Sequence, residues 1–157
     1  MCDYISYLKQ VYPQGVHFDA LLPKATNRNC YDLSKYDLEC LGEIGKGALS
    51  TVYMVRDKNR RIYACKLTSL KHINGGPCPA SFVAKQALEE INHLLKLQKK
   101  HVYGIMPIYS HYPSVNEIAL YAKVYKFLPK PLIPESSIII ELLPLAVPFS
   151  VFVDELH

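Results

Sequence analysis

Two stretches of this sequence hold residue types with a clear chemical use: Gly45-Lys46-Gly47-Ala48-Leu49-Ser50-Thr51-Val52 and, one strand later, Ile62-Tyr63-Ala64-Cys65-Lys66-Leu67. A glycine-rich turn offers backbone N–H groups to an anion, and a lysine on a following strand supplies a fixed cation. Together they can hold the phosphates of a nucleotide. Each part also has a plainer use. Two glycines suit a tight hairpin turn that meets no ligand, and a lysine on an edge strand can reach water past its apolar neighbours. Burying such a lysine unpaired costs on the order of several kcal/mol, so the phosphate-binding reading needs a carboxylate to hold Lys66.

Glu90 can be that carboxylate. It lies in a predicted helix, with Leu94 and Leu97 following on neighbouring turns, at the border of the face that would meet a sheet. Glu89 competes for the same role, and a solvated glutamate is the alternative for either.

The elements that must position these residues follow from hydrophobic periodicity. Tyr36, Leu38 and Cys40 alternate on one side of a predicted strand that begins at Tyr36, runs towards Ile44 and enters the Gly45 turn. Thr51-Val52-Tyr53-Met54-Val55 predicts a second strand, Asp57-Lys58-Asn59-Arg60 a polar hairpin turn, and residues 62–67 a third strand. Ala84, Ala87, Leu88, Ile91, Leu94 and Leu95 recur at helical spacing and predict one long amphipathic helix over about residues 80–99, with Lys96, Lys99 and Lys100 at the negative end of its dipole. Residues 105–109 predict a strand that Pro107 confines to an edge. The nearly continuous apolar run over residues 136–142 predicts a buried one. Between these two lies a long connection with Pro113, Pro129, Pro131 and Pro134 and an amphiphilic piece over residues 117–128, which reads as an insertion over about residues 113–135. Residues 1–35 read as an N-terminal extension in which Tyr4, Leu8 and Val11 can share a short helical face.

A chain of 157 residues fits one domain with a real core, and 50% hydrophobic with 20% charged residues is a globular composition. The net charge of +4 is small and its carriers are scattered, so nucleic acid is not an expected partner. The five cysteines (Cys2, Cys30, Cys40, Cys65 and Cys78) form no C-x-x-C pair and predict reduced thiols in a cytosolic or nuclear, intracellular protein. Asp3 and the lack of an apolar run after it argue against a secretory signal, and Cys2 stands where myristoylation needs glycine. The apolar stretch over residues 138–153 is interrupted by Glu141, Pro144 and Pro148 and is shorter than the roughly 20 residues of a membrane span. It predicts a strand, a turn and the start of a helix, and no membrane association.

In their order and content these motifs resemble the N-terminal lobe of a eukaryotic-type Ser/Thr protein kinase, over about residues 36–157. The Gly45 to Val52 segment resembles that family's G-x-G-x-x-G-x-V loop, Tyr63-Ala64-Cys65-Lys66 its V-A-I-K strand, Glu90-Ile91-Asn92-His93-Leu94 its regulatory helix, and residues 136–143 the strand entering its hinge. The resemblance implies an α+β fold, an antiparallel five-stranded sheet with one main helix, and ATP as the ligand. By the same resemblance Ile44, Gly45, Lys46, Gly47 and Ser50 belong to the loop that covers the phosphates, and Val52 and Ala64 sandwich the adenine. Lys66 holds the α- and β-phosphates and is oriented by Glu90, Ile140 stands as gatekeeper, and the backbones of Glu141 and Leu143 bond the base. Phe149 to Leu156 would begin the first helix of a second lobe.

The sequence also departs from that pattern. Ser50 stands in the place of the third glycine and Leu49 in that of a common aromatic. No H-R-D-x-x-x-x-N, D-F-G or A-P-E motif follows. These motifs supply the aspartate that accepts the substrate proton and the ligands of the magnesium ions that the family uses. The expectation is therefore an ATP-binding lobe, truncated after the hinge, that does not itself phosphorylate a substrate. A second expectation, of a different kind, is a non-catalytic, pseudokinase-like interaction or regulatory scaffold with Leu142, Leu143, Phe149, Val151 and Phe152 exposed to a protein partner. A third is a small α+β protein in which the turn and Lys66 bind nothing.

Overall fold

The computed structural model describes residues 29–71, 79–100, 107–129 and 132–145. After a single 3₁₀ turn at Ser34–Tyr36 come β1 (Glu39–Lys46), β2 (Thr51–Arg56), β3 (Ile62–Ser69), helix α1 (Ala80–Lys99), β4 (Ser110–Tyr112), helix α2 (Val115–Val124) and β5 (Ile138–Leu143). The strands form one antiparallel sheet in the order β1-β2-β3-β5-β4, which puts β3 at its centre. Among the described residues the fold is α+β, with the expected five antiparallel strands and with two helices where one main helix was expected.

Local chemistry explains the elements. Asp57 builds the β2–β3 hairpin turn: its carboxylate accepts hydrogen bonds from the backbone N–H groups of Asn59 and Arg61 at 2.9 and 2.8 Å, and Arg60 takes a left-handed φ of 63°. Gly42, at φ 148°, allows the register shift between Cys40 and Gly42 in the β1–β2 ladder. In α1 the buried positions Ala80, Val83, Ala84, Ala87 and Ile91 repeat every three or four residues, and Lys96 and Lys99 occupy its last turn.

Two cores flank the sheet. On one face α1 and α2 cover Leu70 and Ile139, with Ala84, Ile91, Ile118, Tyr125 and Ile133 among the buried side chains. On the other face Leu33 packs with Val55, Cys65, Leu67, Ile138 and Ile140, and Tyr36, Leu38 and Cys40 lie against them as their alternation predicted. The segment before Tyr36 thus contributes to the core, and Leu33 is almost completely buried.

Several boundaries differ from expectation. The first strand begins at Glu39, because residues 34–36 close a 3₁₀ turn in which the Tyr36 N–H donates to the Leu33 carbonyl at 2.9 Å. The strand expected over residues 105–109 is displaced to Ser110–Tyr112. Pro107 has no N–H to give a ladder, and the Ile108 N–H donates to the Gln98 side chain at 3.0 Å, so strand pairing starts beyond them; residues 105 and 106 lie outside the described residues. The strand expected from residue 136 starts at Ile138. Within the predicted insertion, α2 is a second helix, capped by Ser114, whose hydroxyl accepts from the Glu117 N–H at 3.3 Å. It buries Ile118 against α1, and Tyr125, which follows it, hydrogen-bonds the Ser137 hydroxyl just before β5. Leu142 and Leu143, expected to be exposed, are half-buried. The expected short helix of the N-terminal extension and Phe149, Val151 and Phe152 lie outside the described residues. Among the described residues no helix is long and apolar enough to cross a membrane.

Candidate functional site

Strand register assembles the site. Gly45 pairs with Val52, Val52 with Lys66, Lys66 with Glu141, and Glu141 with His111, so one row of residues crosses all five strands. Directly paired residues of an antiparallel sheet share a face. Ala64, two residues before Lys66 and paired with Leu143, lies on that same face. The face is the one that α1 covers, since Leu143 and Leu49 both pack against the core built by the helix.

The edge-strand explanation of Lys66 does not hold, because β3 is the central strand and the Lys66 side chain is 27% exposed. Its Nζ donates to both carboxylate oxygens of Glu90, at 3.1 and 3.0 Å. Ala87 and Ile91 anchor the adjoining turns of α1 in the core, and this aims Glu90 at the sheet. Glu89 is exposed, so the choice between the two glutamates falls on Glu90. With 41% of the Glu90 side chain exposed, the ion pair contributes only about 1 kcal/mol or less to stability. What it does is fix the direction of the ammonium group.

The Glu141 side chain joins them, and here the structure corrects the sequence reading. Glu141 is 1% exposed, and its Oε2 lies 3.9 Å from Lys66 Nζ, beyond hydrogen-bond length. Its Oε1 is buried and has no hydrogen-bond partner among the described residues. Burial, followed by the Glu90 carboxylate, pushes the Glu141 carboxyl up to about 7, with Lys66 pulling the other way. The backbone of Glu141 belongs to a strand paired on both sides, so it is the side chain that faces the site. Ile140, expected as the side chain beside the nucleotide, pairs with Leu67 and packs with Cys65 on the opposite face. A strand alternates its side chains, so placing Glu141 beside Lys66 turns Ile140 away. The signal in the sequence was a lone charge in the run Ile138-Ile139-Ile140-Glu141-Leu142-Leu143, a buried carboxylate that needs an explanation.

The glycine turn closes β1 onto β2 with a hydrogen bond from the Gly47 N–H to the Ser50 carbonyl at 2.8 Å. Gly45, Lys46 and Gly47 are exposed, while Ile44 and Ser50 are half-buried. Packing inside the chain does not require these glycines: an added Cβ would meet only Val52 Cβ at 3.9 Å from Gly45 and the Ser50 carbonyl at 3.5 Å from Gly47. The turn therefore keeps open backbone surface at the end of the Lys66 row. A recess of about 220 Å³ beside it is lined by Gly47, Leu67, Tyr53 and Tyr31 and lies on the other face of the sheet, away from Lys66.

Chemically, the row offers a cation held by one carboxylate, open backbone at one end, apolar walls in Val52 and Ala64, and a buried acid behind the cation. These fit a polyphosphate attached to an apolar, planar group. Among the described residues no group of three or more His, Cys, Asp or Glu side chains can hold a metal ion. The sequence matches no protein-family model and no curated protein.

Proposed function

We propose that this chain binds a nucleoside triphosphate, ATP by its resemblance to the protein-kinase N-lobe, with the triphosphate on Lys66. One observation carries this reading: Lys66 is held by both oxygens of Glu90 in the same cross-sheet row as Gly45 and Val52. A lysine ammonium has three N–H donors. Two go to Glu90 and the third is left for a phosphate oxygen. The turn from Gly45 to Ser50 covers the phosphates with its backbone, and Lys46 adds an exposed cation there. Val52, Ala64 and Leu143 flank the base, and Ile44 supports the turn from β1. Leu143 lies past the last residue paired with β4, which favours its backbone over that of Glu141 as a partner for the base.

This reading covers nucleotide binding alone; the catalytic-loop aspartate and the D-F-G aspartate that serve phosphoryl transfer in the family it resembles are not among these residues. Free thiols at Cys30, Cys40 and Cys65 fit an intracellular setting. Amide NMR of the labelled chain titrated with ATP tests the site. Shifts should concentrate on Gly45 to Val52, Ala64, Lys66 and Leu143; shifts confined to the recess lined by Tyr31 and Tyr53, or none, would reject it.

A second reading, a non-catalytic scaffold, draws support from a different surface. Leu120, Val124, Phe127 and Leu132 are exposed around α2, Phe127 to 83%. A chain that is monomeric in sedimentation, with or without substitution of Phe127 and Leu132 by serine, speaks against self-association through this surface.

A further inference from the structure

The nucleotide reading leaves one group at the site without a task, the buried carboxyl of Glu141. One cation, Lys66, faces two carboxylates: Glu90 takes two of its donors at 3.0 and 3.1 Å, and Glu141 stands opposite on the next strand at 3.9 Å. With all three ionised the group carries a net negative charge, in the place that a polyphosphate must enter. An ionised Glu141 competes for the one remaining N–H of Lys66 and repels the incoming anion. A neutral Glu141 does neither, and it costs less to bury with Oε1 unpartnered among the described residues.

Resting on the nucleotide reading, we propose that Glu141 is a positioning residue for Lys66, and that polyphosphate binding at Lys66 is coupled to uptake of one proton from solvent by the Glu141 carboxylate. The proton adds to a carboxylate oxygen and no other bond changes. Protonation removes the competitor, leaves Lys66 shared between Glu90 and the ligand, and cancels the excess negative charge. Among the described residues, the charged or titratable side chains facing Glu141 are Lys66 from β3, Glu90 from α1 and His111 from β4. His111 lies opposite in the ladder and has its Nδ1 3.0 Å from the Pro113 carbonyl, which accepts from it. Burial and the Glu90 charge already hold the Glu141 carboxyl up at about 7, within reach of a ligand's further push.

Calorimetric titration of the full chain with ATP, and separately with inorganic tripolyphosphate, in buffers of different ionisation enthalpy counts the protons taken up. The isosteric variant Glu141→Gln provides the difference that cancels the ligand's own protonation. Wild type should take up close to one more proton than the variant with either ligand above about pH 7.5, and its affinity should fall by up to about tenfold per pH unit there. Glu141→Gln should bind with an affinity that no longer follows the titration, and His111→Asn should keep the uptake. Binding with equal uptake in wild type and Glu141→Gln overturns the proposal and leaves the nucleotide site standing. Failure of both ligands to bind at any pH overturns the nucleotide reading and this coupling with it. Carboxyl carbon NMR of the unmodified chain checks the same point without a variant: tripolyphosphate should raise the Glu141 midpoint, and an unchanged or lowered midpoint contradicts the proposal.

Discussion

Lys66 and Glu141 stand directly opposite each other on neighbouring central strands, with Nζ and Oε2 3.9 Å apart, while the two donors that Lys66 commits go to Glu90 on the helix. Sheet and helix thus present one cation with two acids of unequal burial. The exposed acid is the ion-pair partner, and the buried one carries the perturbed carboxyl.

This inequality predicts a pH-dependent stability. Folding raises the Glu141 carboxyl from the usual 4.5 to about 7, so within that window the folded chain keeps a proton that the unfolded chain has lost. Stability contributed by the neutral acid is therefore fully present below the lower value and is lost as pH rises through the upper one. Thermal melts should show a midpoint that falls between about pH 5 and pH 8. Glu141→Gln should flatten this dependence, and a midpoint rising with pH through the window would contradict the burial of an uncompensated carboxyl.

Replacing Lys66 by methionine removes the positive charge that lowers the Glu141 carboxyl. Carboxyl NMR should then place the Glu141 midpoint higher than in wild type. Glu90→Gln should move it lower, because the Glu90 charge, after burial, is what raises it. Shifts of the opposite sign would mean that the three groups do not interact as the geometry requires.

Glu90→Gln should cost about 1 kcal/mol or less in denaturant unfolding, because the ion pair is partly exposed. Its effect on ATP affinity should be larger than that on stability, roughly threefold to tenfold, since in the proposed site the glutamate orients the ammonium that meets the phosphates. A large loss of stability with unchanged affinity would make the pair structural.

Cys65, next to Lys66 on the opposite face, is fully buried, and burial, then Cys40 and Glu141, push its thiol up to about 12. Peptide mapping after maleimide labelling should find Cys65 unmodified in the native chain up to about pH 9 and modified only in denaturant. Labelling at native pH would show that the sheet around Lys66 opens.

Ile91 is completely buried in the helix-side core, next to Glu90. Ile91→Ala should lower stability by about 2–5 kcal/mol through the cavity it leaves. At temperatures where the variant stays folded, nucleotide affinity should fall as well, because Glu90 loses its anchor.

How much of this was legible in the sequence depended on the range of the interactions. The helix carrying Glu90 is set by its own 3.6-residue repeat, and the strand carrying Lys66 by β-branched and aromatic residues on either side of an Asp57 turn, so both were readable locally. The face of β5 was not. Its residues from Ile138 to Ile140 are apolar and buried on both sides of the sheet, which erases the alternation that would tell one face from the other. The β3–β5 ladder, with Lys66 opposite Glu141, fixes the register, and one residue of shift exchanges Ile140 for Glu141 at the site. The position of β4 was hidden for a similar reason, since the Ile108 N–H is taken by a side chain of the preceding helix.

Calorimetric titration of wild type and Lys66→Met with ATP, at a pH below the Glu141 titration, tests whether Lys66, held by Glu90, is the phosphate-binding cation we propose. Wild type should bind saturably, and the variant about tenfold or more weakly, as expected from the loss of a charge-assisted contact of roughly 1.5–3 kcal/mol. Equal affinity in the two chains, with the variant shown to be folded, would contradict it.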